Sequence, residues 1–381
     1  MKWLIREEKG SVAVVVAICM CVLLGFTALA VDYGSMATCK QSLQNAADAA
    51  ALAAARDLAD SKGSDTIRAT AADYARTNGV DPAAAGTGMT TAITASQVQV
   101  TLHRDLAMGF SAVLTGKSKQ TVTASATAEV SSIFGNYPYA LFAGQTIEDG
   151  GDGIITTGHA YVHSSIHSNS DISMKNVTLD SSAVATASGD NSISASNSYS
   201  GSITIDMPRY AQLAGKFQNV VTYSGSVTLK TKYTLSDLVS AAAASYTSLY
   251  GGTGYYTTGL TIYIDGDLTF NGNGSYTTSG FPVNLIVKGN ISLGGCTLAS
   301  TAAAPMTIIS ETGSMTVNGG GAGFFGILFA PVGDVTMNGN VVYLTGSVIA
   351  QNIHKNGNTL DVTYDGRADD FMPKTKVRLV E

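Results

Sequence analysis

Charge is scarce in this sequence of 381 residues: Asp, Glu, Lys and Arg make up 13% of it, and the formal net charge is −6. Phosphate binding requires clustered Lys and Arg, so this balance excludes nucleic acid as a partner. Cysteine is scarce as well. Cys19 and Cys21 lie in an apolar run and Cys39 and Cys296 are far apart, so no disulfide framework is predicted. The length still allows two or three folded units, each with its own core.

One long uncharged segment is present near the N-terminus. No charge lies between Lys9 and Asp32, and residues 11–31 as a helix would span about 30 Å, the thickness of the hydrocarbon core of a bilayer. Basic residues before it and Asp32 after it predict a cytoplasmic tail (1–10), a transmembrane helix (11–31) and an external body. A cleaved secretory signal ending near 27–30 is the alternative, but the apolar run is longer than such signals usually have.

An alanine-rich segment without Gly or Pro follows at residues 40–60 and predicts that the membrane helix continues outward as a stalk. Its small side chains would let another helix approach closely, for self-association or docking. Packing of this face on the chain's own domain is the alternative. A second helix is expected near 66–77, capped by Ser64 or Asp65 and ended by Asn78-Gly79.

Two alternating segments, 97–102 and 121–130, predict strands. Between them, residues 106–114 form a short apolar segment that could be a helix. Together with the stalk, these elements predict a small α+β module within residues 32–134.

The N-terminal pattern resembles that of TadE/TadG-like proteins. It comprises Arg6-x-x-Lys9-Gly10-Ser11-Val12-Ala13, the apolar span, Val31-Asp32-Tyr33-Gly34, and LQNAADAAALAAA at residues 43–55. That family is associated with the assembly or anchoring of Flp-type (tad) pili. The resemblance therefore implies a structural or assembly role at a bacterial envelope, with the bilayer and pilus or secretion components as partners, and it implies no reaction.

One departure within this pattern is informative. Family members that a prepilin peptidase processes carry Glu five residues after the cleavage-site Gly, whereas Val15 stands at that distance from Gly10. The sequence is therefore similar to the unprocessed, TadG-like branch.

From residue 135 the sequence changes to short alternating runs punctuated by Gly, Asn and Asp. One unit recurs: small polar, apolar, polar, apolar, any residue, Gly. Copies begin at Asp267, Asn290, Ser314, Asp334 and Asn352, the last with Lys355 at the second apolar place, and a looser copy begins at Asp171. The copies from 267 onward start 23, 24, 20 and 18 residues apart, within the range of one solenoid coil, and stacked coils would bury a continuous apolar column. An all-β, right-handed parallel β-helix, similar to repeat domains of bacterial surface proteins, is predicted over residues 135–366, with a β-sandwich as the alternative.

Three further segments belong to this prediction. Pro208–Phe217 and Leu235–Tyr250 are expected to be helical insertions that cover the side or the end of the solenoid. The tail, residues 367–381, carries charges of both signs and Pro373, and we expect it to blunt the open edge of the last coil.

Histidine spacing suggests a metal site, but the neighbourhood argues against one. His159, His163 and His167 are four residues apart in a segment that alternates like a strand, where such residues lie about 13 Å apart. We interpret them as polar strand or turn positions. Larger TadG-like proteins often carry a metal-binding Asp-x-Ser-x-Ser motif, and residues 190–194 fit its spacing. They lack the flanking strand and helix that would present the ligands, so no metal is predicted there.

Acidic residues cluster in two places, each beside glycine. Glu148, Asp149 and Asp152 form one cluster, and Asp265 and Asp267 the other. Polysaccharide-cleaving β-helix enzymes group such residues along a groove, but Asp beside Gly commonly serves a turn. The Asp149/Asp152 loop offers oxygens to calcium without the spacing of a known calcium loop. No catalytic, cofactor-binding or metal-binding residue is predicted.

Five of the 17 tyrosines lie close together in sequence: Tyr246, Tyr250, Tyr255, Tyr256 and Tyr263. Exposed tyrosines can bind sugars or proteins, and strand or core positions are the alternative. The sequence predicts a single-pass structural or assembly protein of a Flp-type pilus or related system in the bacterial inner membrane. The alternative is a surface adhesin whose β-helix binds glycan or protein. A membrane-tethered carbohydrate-active enzyme is the least favoured hypothesis.

Overall fold

The structure, a computed structural model, describes residues 9–60, 62–94, 96–109, 112, 116–230, 232, 234–277, 280–318, 323–339 and 341–380; residues 9–12, 136, 273, 274 and 296 are described by their backbone alone. Contacts divide the chain into two compact units. Unit 1 consists of Met1–Ser131 with Lys374–Glu381, and unit 2 of Ser132–Pro373.

Unit 1 begins with a long helix. Helix α1 (Lys9–Ala59) has 51 residues, about 77 Å at 1.5 Å per residue. It is continuous because the apolar run passes into alanines, the best helix formers, without a proline. Helix α2 (Ser64–Thr77) follows and ends at Asn78. Its N-cap is Gly63, without a side-chain cap, so the predicted capping by Ser64 or Asp65 is wrong; Asp65 lies in the first turn, where its charge opposes the helix dipole favourably.

Sheet 1 of unit 1 has four strands in the order β1-β2-β3-β25. They are β1 (Thr87–Ile93), β2 (Gln97–Ala107), β3 (Lys119–Ser132) and β25 (Lys374–Val380). Both segments predicted as strands lie in this sheet, where β1, β2 and β3 pair antiparallel. Of the predicted short helix at 106–114, Leu106 and Ala107 belong to β2, and residues 110, 111 and 113–115 lie outside the described part of the chain.

The C-terminal strand departs from the predicted arrangement. Strand β25 lies beside β3, where Arg378 donates to Glu129 at 2.9 Å (Nη2 to Oε2) across 249 residues of sequence. The prediction that the tail blunts the edge of the last coil is therefore wrong for residues 374–380. Alternating charged and apolar residues in this segment specify a strand, but they do not specify which sheet receives it.

Unit 2 is a β-rich body whose described strand pairs are parallel, apart from one isolated antiparallel bridge. Sheet 2 contains β4 (Leu141–Ala143), β6 (His159–Val162), β7 (Ile166–Ser168), β9 (Val177–Leu179), β10 (Ala185–Ala187), β11 (Ser198–Tyr199), β12 (Val220–Ser224), β14 (Leu260–Asp265), β16 (Val283–Val287), β18 (Met306–Ser310), β20 (Gly323–Ala330), β22 (Val341–Ala350) and β24 (Thr359–Thr363). Sheet 3 contains β5 (Ile154–Thr156), β8 (Ile172–Met174), β13 (Val227–Lys230), β15 (Leu268–Thr277), β17 (Ile291–Ala299), β19 (Met315–Asn318), β21 (Val335–Asn338) and β23 (Ile353–Asn356). Helices α3 (Leu235–Tyr250) and α4 (Tyr255–Thr258) and the 3₁₀ turns Phe134–Asn136, Tyr210–Gln212 and Gly366–Asp369 complete the unit.

The repeat found in the sequence coincides with sheet 3. The first apolar residues of the five copies occupy one register position: Leu268, Ile291, Met315, Val335 and Ile353. The looser copy supplies β8, which pairs with β5. These apolar side chains are buried in one core, which explains why the repeat alternates.

The strand order shows that the chain enters unit 2 in its middle. Strand β4 lies between β7 and β22 in sheet 2, although β22 comes near the end of the chain. From β4 the chain proceeds to β11 at one end, restarts with β12 at the other end, and returns to β22. Strands β23 and β24 likewise meet β5 and β6. We call this junction, where β22, β23 and β24 stack on β4, β5 and β6, the seam.

Sheet 2 is covered on both faces in its middle, which accounts for its continuous apolar strands. All five positions of β16 and of β18 are buried. One face, including Leu285, belongs to the core shared with sheet 3. The other face, including Ile286 and Ile309, packs against Phe134 and Leu213 in a separate cluster.

The two predicted insertions have different outcomes. Pro208–Phe217 covers the outer face of sheet 2 through Leu213, but its helical content is the turn Tyr210–Gln212. Leu235–Tyr250 is helix α3, which Thr234 and Asp237 begin as a capping box. Its buried side packs into the main core beside β12, β14 and β15, at the end of the body.

Candidate functional site

The first part of helix α1 presents apolar side chains to the surroundings. Between residues 13 and 31, Ala28 is buried and the other positions are exposed or, at Gly25, half-buried. Val14, for example, is 60% exposed, and Leu24 is 69% exposed. Helix α1 is long and apolar enough to cross a membrane. An apolar surface of this extent has no stable place in water, so its environment is a bilayer.

The membrane part of the helix ends at a buried carboxylate. Asp32 is 8% exposed and accepts a hydrogen bond from the backbone N–H of Gly109 at 3.3 Å. Gly109 lies in the connection between β2 and β3. Asp32, the first charged residue after the apolar run, is therefore covered by unit 1.

The alanine-rich face of helix α1 is used inside unit 1. Residues such as Ala46, Ala50 and Ala54 are fully buried among residues of α2, β2 and β3. The outer edge of this contact is polar: Lys40 Nζ donates to the carbonyl of Thr123. Of the two hypotheses for this face, packing on the chain's own domain agrees with the structure, because small side chains let helix and sheet approach closely.

Asp57 lies in the last turn of helix α1 and binds residues that follow the helix. Its carboxylate, 7% exposed as a residue, accepts hydrogen bonds from Lys62 Nζ at 2.7 Å and Thr70 Oγ1 at 2.5 Å. Burial opposes ionisation, but the bonds from Lys62 and Thr70 outweigh it and lower the pKa of this carboxyl. The bond from Thr70 therefore joins α2 to α1, and Lys62 in the connection between the two helices balances the charge of Asp57.

The three histidines do not converge. His159 is exposed on β6. His163 lies against Asp180 (Nδ1 to Oδ2, 2.9 Å) and Asp361 (Nε2 to Oδ1, 3.5 Å), and its pKa is raised by the hydrogen bond with Asp180. His167 is buried, and burial lowers its pKa. Within the described residues, no three His, Cys, Asp or Glu side chains are grouped to hold a metal ion.

The acidic cluster at 148–152 is also spread out. The Asp149 carboxylate accepts from Thr146 Oγ1 at 2.7 Å within its own turn. Asp152 Oδ2 faces His354 Nε2 across the seam at 3.8 Å. In residues 190–194, Asn191 Oδ1 accepts from Ile193 N and Ser192 Oγ from Met174 N, so these oxygens support the backbone.

The second acidic cluster belongs to a row of polar side chains that was not predicted from the sequence. Asp265 binds Lys288 at 2.7 Å (Oδ1 to Nζ), whereas Asp267 Oδ1 accepts from the backbone N–H of Asn290 at 2.7 Å. The same bond recurs from strand to strand along sheet 3. We call its acceptors the polar ladder: Ser226, Asp267, Asn290, Ser314, Asp334 and Asn352.

The ladder explains the small polar residue that begins every repeat copy. Each side chain satisfies a backbone N–H of the next stacked strand, at the turn where the sheet ladder itself begins. Asn352 continues the pattern across the seam, because its Oδ1 accepts from the N–H groups of Asp152 and Gly153 at 2.8 and 2.9 Å. A sequence signal for the polar ladder is the Gly that precedes Asp267, Asn290, Ser314 and Asp334. A Cβ at each of these glycines would clash with the ladder residue of the preceding strand or with the backbone beside it.

The tyrosines divide between core and surface. Tyr255 is 5% exposed and packs edge-on against Tyr246 and Phe281, with ring centroids 5.6 and 4.9 Å away. Tyr250 and Tyr256 are exposed beside them. Tyr263 lies apart and donates to Glu311 Oε2 at 3.1 Å. Most of the cluster therefore caps the core at the α3 end of unit 2.

Two known protein families match parts of the chain. Residues 10–57 match the family described as putative Flp pilus-assembly TadE/G-like, and residues 256–371 match a domain of unknown function, DUF7305. No curated protein matches. The crystal structure of the competence-associated pilin ComZ from Thermus thermophilus aligns with 81% of this chain and 89% of its own, at 9% identity and a TM-score of 0.18, too low to indicate a shared fold. Residues 10–57 are thus a TadE/TadG-like pilus-assembly segment at the start of a membrane-anchored chain.

Proposed function

We propose that this protein is a structural or assembly component of a Flp-type (tad) pilus, or of a related envelope system, and that it belongs to the TadG-like branch. The supporting observation is where the family match falls on the structure. Residues 10–57 cover both the lipid-facing part of helix α1 and the part packed against sheet 1. The matched segment therefore both anchors the chain and builds unit 1.

We further propose that the N-terminus lies in the cytoplasm, that the membrane is the bacterial inner membrane, and that the helix stays attached. The basic residues before the span and Asp32 after it support this orientation. Retention is supported by the uninterrupted helix through residues 27–30, where Thr27 Oγ1 donates to the Leu23 carbonyl at 2.9 Å. It is also supported by Val15, which replaces the Glu of processed prepilins.

For unit 2 we propose a right-handed parallel β-helix that acts as a rigid external body. Support comes from consecutive strands that alternate between sheets 2 and 3 from β12 to β23 while every sheet neighbour is parallel. Parallel connections of this kind are almost always right-handed. Such a body offers extended surfaces to pilus or secretion components without any reaction.

The test is genetic, in the bacterium that carries the gene, with surface pili counted by electron microscopy. Deleting the gene should lower the number of pili, and the wild-type gene should restore it. Photo-crosslinking from the exposed positions Tyr33 and Leu52 should capture components encoded with the pilus ATPase and prepilin peptidase. Wild-type protein without the cross-linking residue, irradiated in the same way, serves as the control.

The membrane anchor has its own measurement. Mass spectrometry of the membrane fraction should recover an N-terminal peptide that ends before Asp32 in the mature protein. Unchanged pilus numbers in the deletion strain would contradict the assembly role, and a mature chain beginning near Val31 would contradict retention of the helix.

A further inference from the structure

The outer face of sheet 3 carries a regular row of hydroxyl groups. On five neighbouring strands, the residue after the first apolar position is Thr or Ser and shares one register. We call this set the hydroxyl row: Thr228, Thr269, Ser292, Thr316 and Thr336. Adjacent members are about 4.8 Å apart, so the row is about 19 Å long.

A second polar row runs beside the first. Two residues further along their strands than Thr269, Thr316 and Thr336 stand Asn271, Asn318 and Asn338, about 6.7 Å from the hydroxyl row. Gly294 interrupts this second row between Asn271 and Asn318, and Asn356 extends it by one strand beyond Asn338. Asn338 Nδ2 donates to Asn318 Oδ1 at 2.9 Å, and Asn356 Nδ2 donates to Asn338 Oδ1 at 2.9 Å. These bonds hold the amides of Asn318, Asn338 and Asn356 in line, and leave each with capacity for a further partner.

The hydroxyl row differs from the polar ladder in one decisive respect. The side chains of the polar ladder accept hydrogen bonds from backbone N–H groups of the next stacked coil. No described residue is hydrogen-bonded to a hydroxyl of the row. Thr228 is exposed and the other four are half-buried, while the residues between them on each strand point into the core. The hydroxyl groups of the row therefore make no hydrogen bond that holds the described fold together.

The chemistry of this face selects among ligand classes. Neither row carries a charge over its length, and Lys230 at the β13 end is the nearest cation in register. Anionic ligands are therefore disfavoured, since they are bound by Arg and Lys. A peptide strand would pair with a sheet edge, not with its face. A lipid would require apolar side chains.

We propose that the hydroxyl and asparagine rows bind a neutral, linear polysaccharide. Sugar hydroxyls are both donors and acceptors, as are the groups of the two rows. The row spacing is close to the length of one sugar ring in an extended chain, so a periodic ligand gains the same contact at successive strands. This surface goes beyond the proposed assembly role, and it would hold the external body against an envelope or host glycan.

The test is affinity electrophoresis of the full-length protein in detergent, in native gels containing hydroxyethyl cellulose. The triple variant Thr269→Val, Thr316→Val, Thr336→Val removes hydroxyls but keeps β-branched shape, so the fold should persist. The control triple Thr178→Val, Thr222→Val, Thr363→Val makes the same change in sheet 2. Wild type and control should be retarded alike, with at least tenfold weaker binding for the sheet 3 triple.

A second variant guards against misfolding of the triple. Thr316→Lys places one long charged side chain in the middle of the row at a solvent-facing position, and it should weaken retardation by a similar factor. Wild-type protein that hydroxyethyl cellulose does not retard would overturn the proposal. So would retardation by dextran sulfate alone, adsorption to ice without retardation by the glucan, or equal binding by the triple variant.

Discussion

One rung of the polar ladder can be tested by two substitutions that remove the same hydrogen bond. A Cβ at Gly289 would overlap the Asp267 carboxylate and lie 3.3 Å from the carbonyl oxygen of Gly266. In Gly289→Ala the carboxylate must therefore turn away from the N–H of Asn290, which it now accepts at 2.7 Å. Asp267→Ala removes that acceptor without adding a Cβ at residue 289.

The expected size follows from the charge and the exposure of the acceptor. Hydrogen bonds to charged groups contribute about 1.5–3 kcal/mol, and the exposure of Asp267 favours the lower end. Each single substitution should therefore lower the free energy of unfolding by about 1.5 kcal/mol. Because both remove the same bond, the double variant should also lose about 1.5 kcal/mol rather than about 3, a coupling energy of about 1.5 kcal/mol.

The assay is urea-induced unfolding of the full-length protein in detergent, with the folded fraction of unit 2 measured by pulse proteolysis. Gly252→Ala is the matched control, since no atom lies within 4 Å of a Cβ built there, and its effect should stay within about 0.5 kcal/mol. If the losses of the two single variants add fully in the double variant, Asp267 and Gly289 do not meet at this rung, and the ladder reasoning fails.

Three further predictions concern a buried hydroxyl, a histidine and the anchor. Tyr276→Phe should raise the free energy of unfolding by about 1–2 kcal/mol in the same assay, because the buried Tyr276 hydroxyl has no hydrogen-bond partner in the described structure. The hydrogen bond with Asp180 raises the pKa of His163. The protonated His163 therefore stabilises the fold fully below about pH 6.5, and this stabilisation is lost as the pH rises through the raised pKa. The urea midpoint of the wild type should be lower at pH 8 than at pH 6, and the His163→Gln variant should lack this difference. Leu23→Lys places a charge on a lipid-facing position, at a cost of about 2.5–3.5 kcal/mol near the helix centre. Alkaline carbonate should then extract the variant from membranes but not wild type, and equal retention would argue against a spanning helix.

The elements that the sequence predicted well are those with strong local periodicity. The uncharged run and the alanines together specify helix α1, because both are local signals and no proline separates them. The repeat specified the strands of sheet 3 and their register, because a period-two pattern fixes which side chains are buried. Helix α3 has the predicted bounds, because its alanine-rich composition is a local signal, and the structure adds a capping box of Thr234 and Asp237 at its start.

The elements that the sequence did not predict depend on distant partners. The first coils carry short strands such as β5 and β7, with three residues each, and their repeat signal is weak. Segment 208–217 was predicted to be helical, yet its Leu213 is buried in one cluster with Ile309 and Phe325 on the outer face of sheet 2, and such packing between distant residues is not visible in the sequence. The hydroxyl row lay within the repeat all along, but its lack of internal partners is visible only in the structure.

The seam connects these outcomes. Residues 141–162 gain one sheet neighbour from strands that come near the end of unit 2, so their stacking requires contacts of very high sequence separation. The chain also enters and leaves unit 2 at neighbouring points, since Ser132 Oγ donates to the Asp369 carboxylate. The segments that flank these two points therefore emerge side by side, which lets one become β3 and the other β25 of the same sheet. An ordinary solenoid would release its C-terminus at the last coil, and the expectation for the tail rested on that picture. Because the chain enters unit 2 in the middle of sheet 2, its last strands stack on its first strands and not at an open end. The C-terminal segment therefore continues into unit 1 as β25.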